Sequence, residues 1–318
     1  MSIAPFSLRA FCLALLRGSG QVVFMNNALS GALNFAAFAW AAWTGSVGWT
    51  VVIGAFLGLL VATASAWAVA ADRGALDAGL YGFNGLLVGA AVAVFVLPSP
   101  LMWLLLALAA LCSVVLTLAL QQWLAPARLA VLTAPFVLTG WVVMLAAYQW
   151  PALRMHGLSH AALVVQVATP VAALQAHEWV QAAFAGVAQI FVVDSAAAGA
   201  IFVLGLAVHS RWCALLALLG SLVGAGTAVL WGAEKALVLH GLWGYSAALT
   251  APALGCIFLR PAPAALAWAL LGAVCTTMVQ GAAFSVLGPL GVPVFTAPFV
   301  LTTWVFLLAW RGMLASRQ

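Results

Sequence analysis

The chain repeats itself at long range, and each copy holds an odd number of apolar segments. TAPFVLTGWVVML begins at Thr133 and TAPFVLTTWVFLL at Thr296, 163 residues later, with eight of the first nine residues identical. GLYGFNGLLVG (79–89) is matched 162 residues on by GLWGYSAALTA (241–251). GQVVFMNNALSGA (20–32) is matched at 168 by AQIFVVDSAAAGA (188–200). Three matches in one order at nearly one spacing mark a duplicated unit. The matched stretches contain Gln, Thr, Pro and Trp, so shared apolar composition does not account for them.

What the unit is made of follows from charge. Only 5% of the 318 residues are charged and 67% are hydrophobic, whereas a soluble domain carries about 25% charged residues. That is too little charge to face water, so lipid must cover most of the outside, and the expected class is all-α and membrane-integral. The net charge of +5 comes from scattered single cations, which offers nucleic acid no basic patch. The five cysteines (Cys12, Cys112, Cys213, Cys256, Cys275) lie in apolar runs without metal-ligand spacing and read as small buried hydrophobes. Arg9 precedes and Arg17 follows the short N-terminal apolar run, unlike a cleaved signal peptide. Residues 4–17 therefore read as an interfacial helix at the cytoplasmic surface, and 1–17 as a segment apart.

A spanning helix needs about 20 apolar residues. Turn residues and single charges cut the chain into spans at 20–44, 48–71, 83–97, 101–124 and 128–149, then at 180–206, 211–231, 246–259, 264–286 and 292–311. These define a first repeat (18–149), an extracytoplasmic connection (150–179), a second repeat (180–311) and a tail (312–318). With the N-terminus inside and ten crossings, Arg9, Arg17, Arg73, Arg128, Arg211, Arg260, Arg311 and Arg317 fall on the cytoplasmic side and only Arg154 and Lys235 outside. That bias supports cytoplasmic termini. Five crossings per repeat force the second to sit upside down relative to the first. Inverted repeats are a transporter and channel architecture, with the substrate site at the repeat interface near the midplane.

The third span of each repeat is short, and a glycine-broken amphipathic piece precedes it. Residues 74–82 and 235–243 read as half-helices re-entering the membrane with their C-termini inward, so that unpaired carbonyls beside Gly82, Phe83, Gly244 and Tyr245 face a solute. Asp194 reads as a structural acid at a helix end. His156, His160, His177, His209 and His240 read as solvated loop or span-end residues. No nucleotide loop, catalytic triad or metal cluster is legible, so neither cofactor nor metal is expected and an enzyme is disfavoured.

The segments GQVVFMNN (20–27), LYGFNGLLVG (80–89), GVAQIFVVD (186–194), GLWGYSAALTAPALG (241–255) and the two TAPFVLT stretches are similar to those of the urea transporters, over nearly the whole chain. The resemblance implies a homotrimer in a plasma membrane, here a bacterial inner membrane, with a urea slot in each protomer. It assigns Phe83 and Leu87 to the slot wall, with Tyr245 and Leu249 as their repeat mates. Phe24 is the other wall residue of the first half and Val192 its mate. Thr133 and Thr296 are the paired threonines at the constriction. Gln21 and Gln189, polar groups near span starts, read either as hydrogen-bonding glue between helices or as one group at each pore mouth. The sequence departs from the family where Tyr245 replaces a common Phe, and where Ser246 follows in place of a common Asn, which brings close amide analogues into consideration.

The chemistry is consistent with that assignment. Urea is flat and neutral, with four N–H donors and one carbonyl, and a pore must replace its water with protein oxygens or leave donors unmet at a cost of several kcal/mol. Threonine hydroxyls can supply oxygens, each site holding the solute well enough to admit it and weakly enough to release it. Aromatic faces favour a flat molecule and exclude hydrated ions. An ammonia or ammonium pore remains an alternative, but it should place paired histidines mid-span, and none falls there.

Overall fold

The computed structural model describes residues 7–69, 71–157 and 173–315. The expected positions 4–6 of the interfacial helix, His160 and Arg317 lie outside the described residues. Among the described residues there are fourteen α-helices and no strand. The first seven are α1 (Leu8–Gln21), α2 (Ala28–Trp43), α3 (Trp49–Ala68), α4 (Arg73–Asp77), α5 (Phe83–Phe95), α6 (Pro100–Leu124) and α7 (Ala134–Ala147). The other seven are α8 (Ala176–Gln189), α9 (Ala196–His209), α10 (Arg211–Leu230), α11 (Lys235–Leu239), α12 (Tyr245–Pro252), α13 (Pro263–Leu287) and α14 (Ala297–Ala315). The series run in parallel: α1 and α8 both have 14 residues, α3 and α10 both 20, α4 and α11 both 5, α6 and α13 both 25.

Five helices are long and apolar enough to cross a membrane: Trp49–Ala68, Pro100–Leu124, Arg211–Leu230, Pro263–Leu290 and Ala297–Ala315. Shorter apolar helices at Ala28–Trp43, Phe83–Phe95, Ala134–Ala147, Ala196–His209 and Tyr245–Ile257 overlap the remaining expected spans. The protein is thus an all-helical, multi-pass membrane protein. Trp43, Trp49, Trp123, Trp150, Trp212 and Trp231 are exposed and stand at or beside helix ends, where amphipathic rings meet the headgroup layer.

Local chemistry sets the boundaries. Ser99 accepts from the Met102 N–H at 3.1 Å and Pro100 occupies the first turn of α6, a position whose N–H has no helical partner anyway. Ser210 starts α10 by accepting from the Cys213 N–H at 3.2 Å. Pro252 lies inside α12 and withholds an N–H, and the helix widens into a π turn over Ala253–Ile257. The expected unbroken spans 20–44 and 180–206 are each broken. Asn27 accepts from the N–H groups of Leu29 and Ser30 and starts α2 afresh, and Ser195 accepts from Ala198 to start α9. Ahead of each cap stands a non-glycine residue with positive φ, Phe24 at 67° and Val192 at 59°. α1 runs to Gln21 and packs its buried side, Ala14, Leu15 and Gly18, into the protein.

The two series grip each other reciprocally. Trp141 of α7 donates its indole N–H to the Pro293 carbonyl at 3.0 Å, and Trp304 of α14 donates to the Ala130 carbonyl at 2.8 Å. Tyr148 bonds the Gly291 carbonyl at 3.5 Å, while Arg311 bonds the Arg128 carbonyl at 3.0 Å and the Ala127 carbonyl as well. Each pair is the other's image at an offset of 163 residues, the pattern that a two-fold relation between the halves produces. Cys213 and Cys256, read from sequence as separate hydrophobes, have their sulfurs 2.7 Å apart where α10 meets the π turn.

Candidate functional site

The centre of this reciprocal arrangement is a pair of hydroxyls. α7 and α14 both begin immediately after a threonine, in an Ala-Pro step whose proline is pre-set for a helical first turn. Thr133 makes no capping bond to its own helix. Its hydroxyl lies 2.7 Å from that of Thr296, and both residues are buried. The residue before each threonine is left-handed, Leu132 at φ 53° and Phe295 at φ 50°. With Phe24 and Val192, four of the five non-glycine residues at positive φ among the described residues fall in repeat-related pairs at or beside expected site residues. Each such conformation costs of order 1 kcal/mol or more and persists only where its surroundings over-determine it.

A cavity of about 300 Å³ opens beside Thr296. Gln189, Val192, Tyr245 and Thr296 line it with Phe95, Phe136 and Phe295, and among the described residues no charged one does. A second cavity of about 500 Å³ shares Gln189 and Val192 with the first and adds polar groups from Ser46, Thr50, His156 and Asp194. An aromatic chamber therefore adjoins a more polar one.

The remaining expected residues lie elsewhere. Phe83, Leu87 and Leu249 are packed into the hydrophobic core rather than along the wall of the 300 Å³ cavity. Phe24 meets Phe258 and Phe299 edge-on, each with ring centroids 6.0 Å apart. Gln21 donates to the Ala78 carbonyl at 2.9 Å, and Gln189 to the His240 carbonyl at 2.9 Å. Both glutamines thus join helices, and Gln189 also faces the cavities.

These bonds correct the expected half-helices. In place of 74–82 and 235–243 the structure has single turns, α4 and α11, each followed by a bend through a glycine at positive φ, Gly79 at 77° and Gly241 at 74°. The carbonyls that close these short turns have protein donors: Arg17 bonds the Asp77 carbonyl at 2.8 Å, and the two glutamines bond those of Ala78 and His240. The helix ends at Phe83 and Tyr245 are N-terminal ends, so their unpaired backbone groups are N–H donors and not carbonyls.

Several contacts were not legible as site features. Asn84 donates to the Leu132 carbonyl at 3.3 Å and accepts from the Phe136 N–H at 3.1 Å. The Tyr245 hydroxyl donates to the Phe295 carbonyl at 2.6 Å and accepts from Gln280 at 2.7 Å. Asn84 carried one signal, a fully buried amide in an apolar span, while Gln280 lies 35 residues from its partner. His240 pairs with Asp194 at 2.8 Å rather than standing in solvent alone.

Lys235 meets Glu178 at 2.7 Å at the start of α8. The Lys235 hydrogen bond, seconded by the Gln175 N–H, holds this carboxylate below its ordinary value. A depressed acid contributes stability above its unfolded pKa of about 4.3 and loses it as pH falls through the lower folded value. Melting temperature should therefore show no contribution from this pair to its pH dependence between about pH 6 and 8. As pH falls from about 4.3 through the lower folded value, the Glu178→Gln variant should lose melting temperature less steeply than the parent; coincident melting curves down to acid unfolding would contradict this.

The urea transporter family model matches residues 12–311. The chain belongs to the urea transporter family. Among curated proteins it is 31% identical over 315 residues to Urea transporter 1 of Ovis aries, covering 92% of this chain and 76% of that protein. It is likewise 32% identical to Urea transporter 1 of Capra hircus and 31% to that of Mus musculus, at the same coverage. Membership makes this urea transporter family protein a transporter and not an enzyme.

Proposed function

We propose that the protein conducts urea passively, through a slot at the interface of two inverted repeats in each protomer. The observation that carries the reading is the buried Thr133–Thr296 hydroxyl pair where the halves meet, beside an uncharged aromatic cavity. Two adjacent hydroxyls accept from N–H donors and donate to a carbonyl, which is what a planar amide requires. The reciprocal Trp and Tyr/Arg contacts support a two-fold relation, and an odd crossing count turns that relation into inversion. On this reading Gln21, Phe24, Phe83, Leu87 and Thr133 serve one half of the slot, and Gln189, Val192, Tyr245, Leu249 and Thr296 the other. Ten crossings, cytoplasmic termini, a bacterial inner-membrane location and a homotrimeric assembly complete the proposal.

Stopped-flow light scattering on proteoliposomes tests it. Urea should equilibrate well above the rate of protein-free vesicles without any ion or proton gradient. Thr133→Val/Thr296→Val should slow it by about tenfold or more, the cost of desolvating donors with one hydrogen-bonding site lost. Formate should stay at background, because the chamber offers an anion no cation. Urea flux at the protein-free rate, or flux that needs a gradient, would overturn the reading.

A further inference from the structure

The two repeats hold their threonines by different chemistry. In the first, Asn84 clamps the loop before α7: its amide N–H donates to the Leu132 carbonyl and its amide oxygen accepts from the Phe136 N–H. Leu132 needs holding, because it sits at φ 53° without being glycine. Its mate Phe295, at φ 50°, has the same need. Yet the mate of Asn84 is Ser246, whose side chain is too short for that reach and whose buried hydroxyl has no hydrogen-bond partner.

The bond is supplied one position earlier. Where the first repeat has Phe83 the second has Tyr245, and the added hydroxyl reaches the Phe295 carbonyl at 2.6 Å. A third exchange supports it. Gln280 of α13 stands where α6 has Thr117; Thr117 only bonds back to the Ser113 carbonyl, whereas Gln280 donates to the Tyr245 hydroxyl at 2.7 Å and to the Leu242 carbonyl at 3.3 Å. Since the hydroxyl receives one hydrogen bond and gives its proton to the carbonyl, its orientation is fixed.

We propose that Tyr245, oriented by Gln280, is the positioning residue for Phe295 and Thr296, doing with a phenol what Asn84 does with an amide. The inference rests on the slot reading above and extends it. Phe83→Tyr, Asn84→Ser and Thr117→Gln, read between the repeats, are one coordinated exchange, not three departures. The Tyr245 hydroxyl is committed to the protein, so the solute meets its ring much as it would meet a phenylalanine. The tyrosine therefore maintains discrimination by holding Thr296, and it adds no new contact to the solute.

The test compares urea and acetamide permeability in proteoliposomes for Tyr245→Phe and for Tyr245→Phe/Ser246→Asn, the second restoring the first repeat's pairing. Tyr245→Phe should lower urea flux by about tenfold, the value of one buried hydrogen bond, and should lower the urea-to-acetamide ratio as Thr296 loosens. The double variant should recover both to within about twofold, since it replaces one bond with another of similar worth. If Tyr245→Phe does not assemble, the double variant should both assemble and conduct. Wild-type flux and ratio in assembled Tyr245→Phe, or a double variant no better than the single, would overturn the inference. Val192→Arg separates this from failure of the slot itself. If it blocks flux while Tyr245→Phe is silent, only the positioning role falls; if it leaves flux intact, the slot falls and takes the role with it.

Discussion

Val192→Arg is expected to bring urea flux down to the protein-free rate while leaving assembly intact. Val192 lies where the two cavities meet and is part of the lining of both. A guanidinium there cannot lose its proton, and it would hold its own water in a passage sized for a neutral plate. Folding should survive for two reasons. The site opens toward polar groups, among them Asp194, so the charge is not stranded in hydrocarbon, where it costs about 2.5–3.5 kcal/mol or more. The backbone at φ 59° also accepts larger side chains, since the mate position carries Phe24 at φ 67° and Arg128 adopts φ 52° elsewhere. For the same reason Val192→Phe, which copies the first repeat, should conduct within about threefold of the parent, a difference under 1 kcal/mol. Val192→Arg protein that assembles normally and still passes urea would place the pathway elsewhere.

The repeat was legible because it is written in residues that apolar composition does not supply: the Thr-Ala-Pro steps, the Gln at each helix end, the Gly-Leu-aromatic-Gly turns. Thr133 and Thr296 could be paired from sequence for that reason, and their hydroxyls are in contact. What escaped was set by partners distant in the chain. The turns at α4 and α11 are held at the carbonyls of Asp77, Ala78 and His240, whose donors Arg17, Gln21 and Gln189 lie 60, 57 and 51 residues away. Without those donors in view, helix was extended over 74–82 and 235–243, past the single turns at Arg73–Asp77 and Lys235–Leu239. Leu132 and Phe295 carry no glycine to announce a left-handed turn. The pairing of Tyr245 with Phe295 spans 50 residues, so the sequence showed the departure from the family pattern at Tyr245 without showing the carbonyl its hydroxyl meets.

The other large effect belongs to the fold. Gly89→Val should strip the protein of its assembled state, because α3 and α5 meet backbone to backbone. A Cβ at Gly89 would stand 2.0 Å from the Gly54 carbonyl oxygen and 2.8 Å from its carbon, and one at Gly54 would stand 2.7 Å from the Gly89 oxygen. Nothing flexible is in the way that could swing aside; the obstacle is main chain, so the helices must separate. In the second repeat the mates of Gly54 and Gly89 are Leu216 and Ala251, so neither side of that contact is a glycine. The first interface is thus the less forgiving. Small residues allow such approach where lipid gives helices no hydrophobic reason to associate, and overpacking costs about 1–3 kcal/mol even where side chains can yield. Here α5 also carries Asn84, so a shift would release the Leu132 clamp and Thr133 with it. Gly226→Val is the control: an added Cβ there meets only the Trp179 ring at 3.9 Å. It should melt near the parent and conduct normally, while Gly89→Val should lose most of its monodisperse yield in detergent and its urea flux. Equal yield, melting temperature and flux for both variants would mean that α3 and α5 are not held by this contact.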